Sequence, residues 1–165
     1  MRTPIYVLGG YQTDFARSYA RDGLDISDMM REAIEGALAD SGLDAEDIET
    51  VHVGNAFSEL QRQQGHLGAM ASQVVPGLWG KPAMRHEGAC ASSSLAILSA
   101  MAELEAGRYD CALVVGVEEQ RRFLAINHQL HKMLRRGRAM KESRAPLCGL
   151  QSSDCLARNT RIGMD

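Results

Sequence analysis

Aromatic side chains are scarce in this chain, at 5% of 165 residues with a single tryptophan. The hydrophobic 45% is mostly Ala, Leu, Val, Ile and Met, and it stands beside 16 glycines. That mixture suits close helix-on-sheet packing, an α/β fold, and argues against a β-sandwich. Cysteine is sparse too. Cys90, Cys111, Cys148 and Cys155 form neither a disulfide framework nor the paired short spacings of a zinc site. No metal is therefore expected, and a reducing, cytoplasmic setting is. No run approaches the roughly 18 consecutive apolar residues of a membrane span. The N-terminus has no basic stretch leading into an apolar one, so neither a leader nor a membrane partner is expected.

Repeats and Pro/Gly/Ser-rich linkers are also missing, which leaves charge as the one marker of a boundary. Residues 1–120 hold 8 basic and 18 acidic side chains, whereas residues 121–165 hold 10 and 3. The break falls at Gln120. The first part is long enough for a domain with a core of its own.

Along the chain, Ile5-Tyr6-Val7-Leu8-Gly9-Gly10 reads as a first strand closed by a turn, and residues 11–23 as loop. Asp25 caps a helix with Asp28 in its first turn. Ile26, Met30, Ala33, Ile34, Ala37 and Leu38 recur at helical spacing up to a terminating Gly42. Thr50-Val51-His52-Val53-Gly54-Asn55 is a second strand, and the order strand, helix, strand calls for a right-handed parallel crossover. His52 alternates with valines and reads as a satisfied strand residue rather than a ligand. Residues 56–81 form a long connection with a helix over 67–75, and connections of this length are usually functional or belong to subunit contacts. Trp79, within it, reads as a lid over the core. Cys111-Ala112-Leu113-Val114-Val115-Gly116-Val117 is apolar on both faces, as a central parallel strand is, with Cys111 serving as packing.

The chemistry is placed at His86-Glu87-Gly88-Ala89-Cys90-Ala91-Ser92-Ser93-Ser94, a small-residue bend opening into a helix that runs to Ala106 and a capping Gly107. Residues 89–102 carry no charge, which predicts a helix buried all round. A cysteine in the first turn sees unpaired amides and the positive end of the helix macrodipole, both of which favour a negatively charged sulfur. Cys90 is thus a candidate nucleophile. The residues alone leave open a structural cysteine on an Ala/Ser-rich helix. Gly88 and Ala89 give room for a close backbone or a flat substrate, and Ser92, Ser93 and Ser94 can satisfy first-turn amides.

Taken in order, several segments resemble the N-terminal half of thiolases, in the branch that includes the acetyl-CoA acetyltransferases and the sterol-carrier-protein type. They are the residue 5–10 run, Asp40-Ser41-Gly42-Leu43, Val53-Gly54-Asn55, the Cys90 segment, Gly107-Arg108-Tyr109-Asp110 and Val114-Val115-Gly116-Val117-Glu118. The likeness covers about residues 1–120 and rests on order and spacing rather than on one motif. It implies an incomplete half-domain with a mostly parallel sheet and a buried nucleophile helix. It also implies an acyl-CoA:acetyl-CoA C-acyltransferase, in which Cys90 is acylated by acyl-CoA and its backbone N–H helps form an oxyanion site. Acyl-CoA and CoA are then substrates, no cofactor is implied, and the complete protein is a homo-oligomer.

Ser93 departs from the pattern, since thiolases usually carry glycine there. This brings the segment towards the Ala-Cys-Ser-Ser-Ser of β-ketoacyl synthases, although the position of the cysteine near residue 90 fits thiolases. The resemblance also calls for a Gly-His-Pro histidine, an Asn-Glu-Ala-Phe asparagine and a second cysteine, and these motifs do not occur after Gln120. Cys148 and Cys155 lack the right neighbours. The implied protein is a truncated one, inactive by itself, with a non-catalytic product as the alternative.

For residues 121–165, binding of nucleic acid or of a metal through His128 and His131 is not expected; the composition is that of a solvated basic segment. Reading the third base of each codon with the first two of the next permits Val-Pro-Gly-Asp across residues 122–126, Ala-Ala-Ala-Trp across 133–137 and Gly-His-Glu-Gly across 138–142. Met140 followed by Lys141 must read Glu in that frame. These strings resemble the segment that comes after the Gly-Val-Glu strand in the same thiolase branch, so the tail is expected to be out of frame and poorly ordered.

Overall fold

The structure is a computed structural model that describes residues 4–119; the expected character of the tail lies outside them. The first helix, α1 (Ile26–Ser41), forms as its sequence dictates. Asp25 accepts from the amides of Ser27 and Asp28, the Asp28 carboxylate returns the bond to the Asp25 N–H, and Gly42 closes the helix in the left-handed region at φ 71°. Its apolar stripe buries Ile26, Met30 and Ile34.

Three parallel strands come next: β1 (Thr50–Gly54), β2 (Ala83–His86) and β3 (Ala112–Gly116), in spatial order β2-β1-β3. Between β1 and β2 the chain forms a short helix, α2 (Ser58–Arg62), and then α3 (Leu67–Val74). A single 3-10 turn over Ala89–Ala91 leads from β2 into α4 (Ser92–Glu105). Strand alternation sorts β1 into two faces. Val51 and Val53, with Leu113 and Val115 of β3, join Met30, Ile34, Leu67 and Leu78 in the core beneath α1 and α3. Thr50, His52 and Gly54 turn to the opposite face, which α4 covers.

Four expectations are corrected. Residues 5–10 are not a strand: no sheet neighbour stands beside them among the described residues, and Val7 is 94% exposed. They lie instead across the end of α1, with Gly9 against Ser41 and the Gly10 N–H donating to Asp40 at 2.9 Å. The first expected crossover is therefore not formed. The strand buried along its whole length is β1, while β3 has one strand neighbour among the described residues. Trp79 is 75% exposed, and Leu78 fills the core position that Trp79 was expected to cover. Finally, α4 is not buried all round. It rests on the sheet through Ser92, Ala96 and Ala100, and it leaves Leu95, Ile97, Leu98 and Met101 exposed, because only one layer covers it among the described residues. Cys111 is half-buried against the core, in the packing role expected of it. No described helix is long and apolar enough to cross a membrane.

Candidate active site

The parallel sheet delivers the carboxyl end of β2 and the amino end of α4 to one place, and Cys90 sits in the bend between them. The bend is tight. Gly88 is extended at φ −163°, Ala89 takes a left-handed φ of 51°, and the Ala91 N–H donates to Gly88 O at 2.9 Å. A left-handed alanine costs about 1–2 kcal/mol relative to its ordinary conformation, so the surroundings must hold it. Ser92 supplies much of that hold: its buried Oγ accepts from the Gly88 N–H at 3.0 Å and donates to Ala89 O at 2.8 Å. Glu87 closes the other side, accepting the Ala89 N–H at 2.8 Å. Ser92 thus fastens the bend rather than capping α4, whose N-cap residue Ala91 makes no side-chain capping bond.

This arrangement leaves the Cys90 thiol exposed. The Cys90 N–H meets no acceptor among the described residues. An uncommitted amide beside an accessible sulfur is what a developing oxyanion requires. Close approach of α4 to the sheet depends on two glycines that face each other in the ladder, Gly54 and Gly116. A Cβ on the first would lie 2.8 Å from Ser93 Cα, and a Cβ on the second 2.6 Å from Ser93 Oγ.

Cys90 and Ser93 line an open cleft of about 900 Å³ that also takes in Phe15, Tyr19, Phe57 and Glu118. One wall is the 11–23 loop, tied to α1 through Glu32, which accepts from Tyr19 Oη at 2.7 Å and Tyr11 Oη at 3.1 Å and pairs with Arg17 at 2.8 Å. Burial and the Glu32 carboxylate push the Tyr19 phenol up, so it stays protonated at neutral pH and keeps its hydrogen bond to Glu32. The opposite wall is pinned by Glu118, whose carboxylate accepts from the Ala56 N–H at 2.8 Å and from Asn55 Nδ2 at 3.2 Å. Asn55 is itself buried and donates to Val117 O at 2.7 Å and Ser58 Oγ at 2.6 Å. Val53-Gly54-Asn55 and the strand end at Glu118 stood out in the sequence as motifs; their joining through one carboxylate did not.

Cys111, by contrast, is held protonated. Burial pushes its thiol up first, and the carboxylates of Glu49 and Asp47 add to the effect. His52 is buried and hydrogen-bonded, as expected of a satisfied strand residue, and no group of side chains able to hold a metal occurs among the described residues. Cys148 and Cys155, with His128 and His131, lie outside the described residues.

A family model for the thiolase N-terminal domain matches residues 5–158. This chain belongs to the thiolase family. The match runs past residue 120, while the similar curated proteins align over shorter stretches. An acetyl-CoA acetyltransferase of Methanothermobacter thermautotrophicus is 32% identical over 115 residues, 70% of this chain and 29% of that protein. Sterol carrier protein 2 of Gallus gallus is 30% identical over 118 residues, 72% of this chain and 20% of that protein. A β-ketoacyl-[acyl-carrier-protein] synthase III of Rhodospirillum rubrum is 32% identical over 111 residues, 66% of this chain and 33% of that protein. The chain thus spans no more than about a third of the length of these thiolase-like relatives.

Proposed function

We propose that Cys90 is the nucleophile of an acyl-CoA:acetyl-CoA C-acyltransferase and carries the acyl group as a thioester. The observation that supports this is the exposed thiol on the wall of an open cleft, at the mouth of α4, beside its own uncommitted N–H. In the first half-reaction the sulfur gives its proton to water or a buffer base and adds to the thioester carbonyl, whose oxygen takes the negative charge next to that N–H. The carbon–sulfur bond to CoA then breaks, and the CoA thiolate leaves and is protonated by solvent. The second half-reaction joins the carbanion of acetyl-CoA to the acyl group, or runs in reverse as thiolysis. It requires proton transfer for which the histidine, asparagine and second-cysteine motifs of the family are absent from these 165 residues.

This chain alone is accordingly expected not to turn over. An oxyanion donor contributes about 10²–10³ in rate and acid–base groups about 10²–10⁴, so losing several together removes measurable activity. Acyl-CoA as partner, a homo-oligomeric complete protein, no cofactor, and a cytoplasmic location belong to the same reading. So does an out-of-frame origin for residues 121–165, which sequencing the coding DNA tests.

Incubation with acetyl-CoA followed by intact-mass analysis tests the nucleophile. With Cys148 and Cys155 replaced by serine, one hydroxylamine-labile acetyl group is expected on the chain and none on Cys90→Ala. Acetylation at Cys111 instead would overturn the assignment, and robust steady-state thiolysis that vanishes in Cys90→Ala would overturn the incompleteness. Ser93 and the synthase III relative favour a second reading, a condensing enzyme of the β-ketoacyl-synthase type. Faster acylation from an acyl carrier protein than from acyl-CoA would select it.

A further inference from the structure

Beneath α4, on the face of the sheet away from the main core, three titratable side chains from three elements touch. His52, fully buried on β1, places Nε2 3.1 Å from Glu103 Oε2 of α4 and Nδ1 2.9 Å from Nε2 of His86, the last residue of β2. Thr50 Oγ1 donates to the same Glu103 oxygen at 3.1 Å, and Ser99 Oγ lies 3.4 Å from His86 Nδ1. Among the described residues the ladder neighbours are uncharged: β3 sets Ala112 and Val114 beside Thr50 and His52, and β2 sets Met84 beside His52. Glu87, next in the chain, is occupied by the Ala89 N–H.

The spacing limits how many protons this group can hold. Two nitrogens 2.9 Å apart share one hydrogen. With Glu103 ionised, His52 donates through Nε2 and accepts at Nδ1 from the His86 Nε2–H, which leaves His86 Nδ1 to accept from Ser99. One added proton fits, because Glu103 balances the imidazolium and the shared hydrogen bond survives. A second sets N–H against N–H and two positive charges against one carboxylate.

We infer that Glu103, His52 and His86 form a proton-sensitive latch that ties the end of β2 to α4, and that uptake of a second proton opens it and frees the bend carrying Cys90. None of these contacts involves Cys90, so the latch does not rest on its acylation. Burial, and after it the neighbouring His52, push His86 below its ordinary value of 6.5. The unfolded chain therefore takes up a proton near pH 6.5 that the folded chain resists. The part of the stability that depends on this proton is complete above that pH and falls below it, by up to about tenfold in the folding constant per pH unit.

Urea unfolding of the full chain between about pH 7.5 and about pH 5 reads this slope. His86→Gln keeps an N–H for His52 Nδ1 but cannot charge, so its slope should flatten. Glu103→Gln removes the carboxylate that balances an imidazolium at this place, so the slope should steepen relative to the wild-type chain. Hydrogen exchange, corrected for intrinsic rates, should lose protection over residues 83–98 at the acid end in the wild-type chain and keep it in His86→Gln. Equal slopes in the three proteins, or acid loss of protection spread evenly along the chain, would overturn the latch. Should His86→Gln fail to fold, the Glu103→Gln slope and the wild-type exchange map decide between the same two outcomes.

Discussion

Gly54 and Ser93 meet with no room for a side chain between them: a Cβ on the glycine would stand 2.8 Å from the serine backbone. The mouth of α4 is therefore set directly on the carboxyl ends of β1 and β3. Gly54→Ala should push α4 outward and destabilise the chain by about 1–3 kcal/mol. Gly10→Ala, where nothing lies within 4 Å, serves as the control and should leave the urea midpoint in place. Equal midpoints for the two variants would contradict the packing.

The left-handed Ala89 supplies a second test. Ala89→Gly removes the conformational penalty while adding chain entropy to the unfolded state, so its stability should match the wild type or slightly exceed it. Ala89→Val, with a branched Cβ in the same conformation, should lose more than about 1 kcal/mol. Thermal unfolding of the pair distinguishes strain at this residue from a general intolerance of change.

Alkylation separates the cysteines. With Cys148 and Cys155 replaced by serine, a limiting reagent at neutral pH should label exposed Cys90 first. Cys111, kept protonated by burial and by Glu49 and Asp47, should follow more slowly, its rate still climbing with pH above the ordinary thiol value of 9.0. Peptide mapping that finds Cys111 labelled ahead of Cys90 would count against the site.

Asn55→Ala should cost about 1–3 kcal/mol, because the Val117 carbonyl loses its donor inside the fold. Glu118→Gln should cost less, since the amide oxygen can still accept from the Ala56 N–H. Denaturant unfolding of both variants gives the comparison, and the reverse order would place the weight of the cleft wall on the charge instead.

How far the sequence could be read depends on how local the causes are. The limits of α1 were legible because its cap, its stripe and its terminating glycine lie within eighteen consecutive positions, Asp25 to Gly42. The place of Cys90 in a bend ahead of a helix was legible for the same reason, since bend and helix start are contiguous. Ile5-Tyr6-Val7-Leu8 has the composition of a strand, yet pairing is decided by a neighbour that composition does not contain. The apolar faces of α4 gave no sign of which layers would be present to cover them. The contact of His52 with His86 and Glu103 spans 34 and 51 residues of separation, and it takes both the parallel register of β1 and β2 and the packing of α4 on the sheet to bring it about.

The bend that holds Cys90 is a span of fixed length between two fastened posts. His86 keeps its place beside Gly54 in the ladder, and Ser92 is locked by bonds to Gly88 and Ala89. One residue inserted between those posts would swing the sulfur away from the cleft while the sheet, α1 and α3 stayed as they are. Damage of that kind would cost a melting curve only the bonds of the bend itself, yet it would take the thiol out of the cleft, so thermal stability is a poor gauge of the reactivity of this molecule.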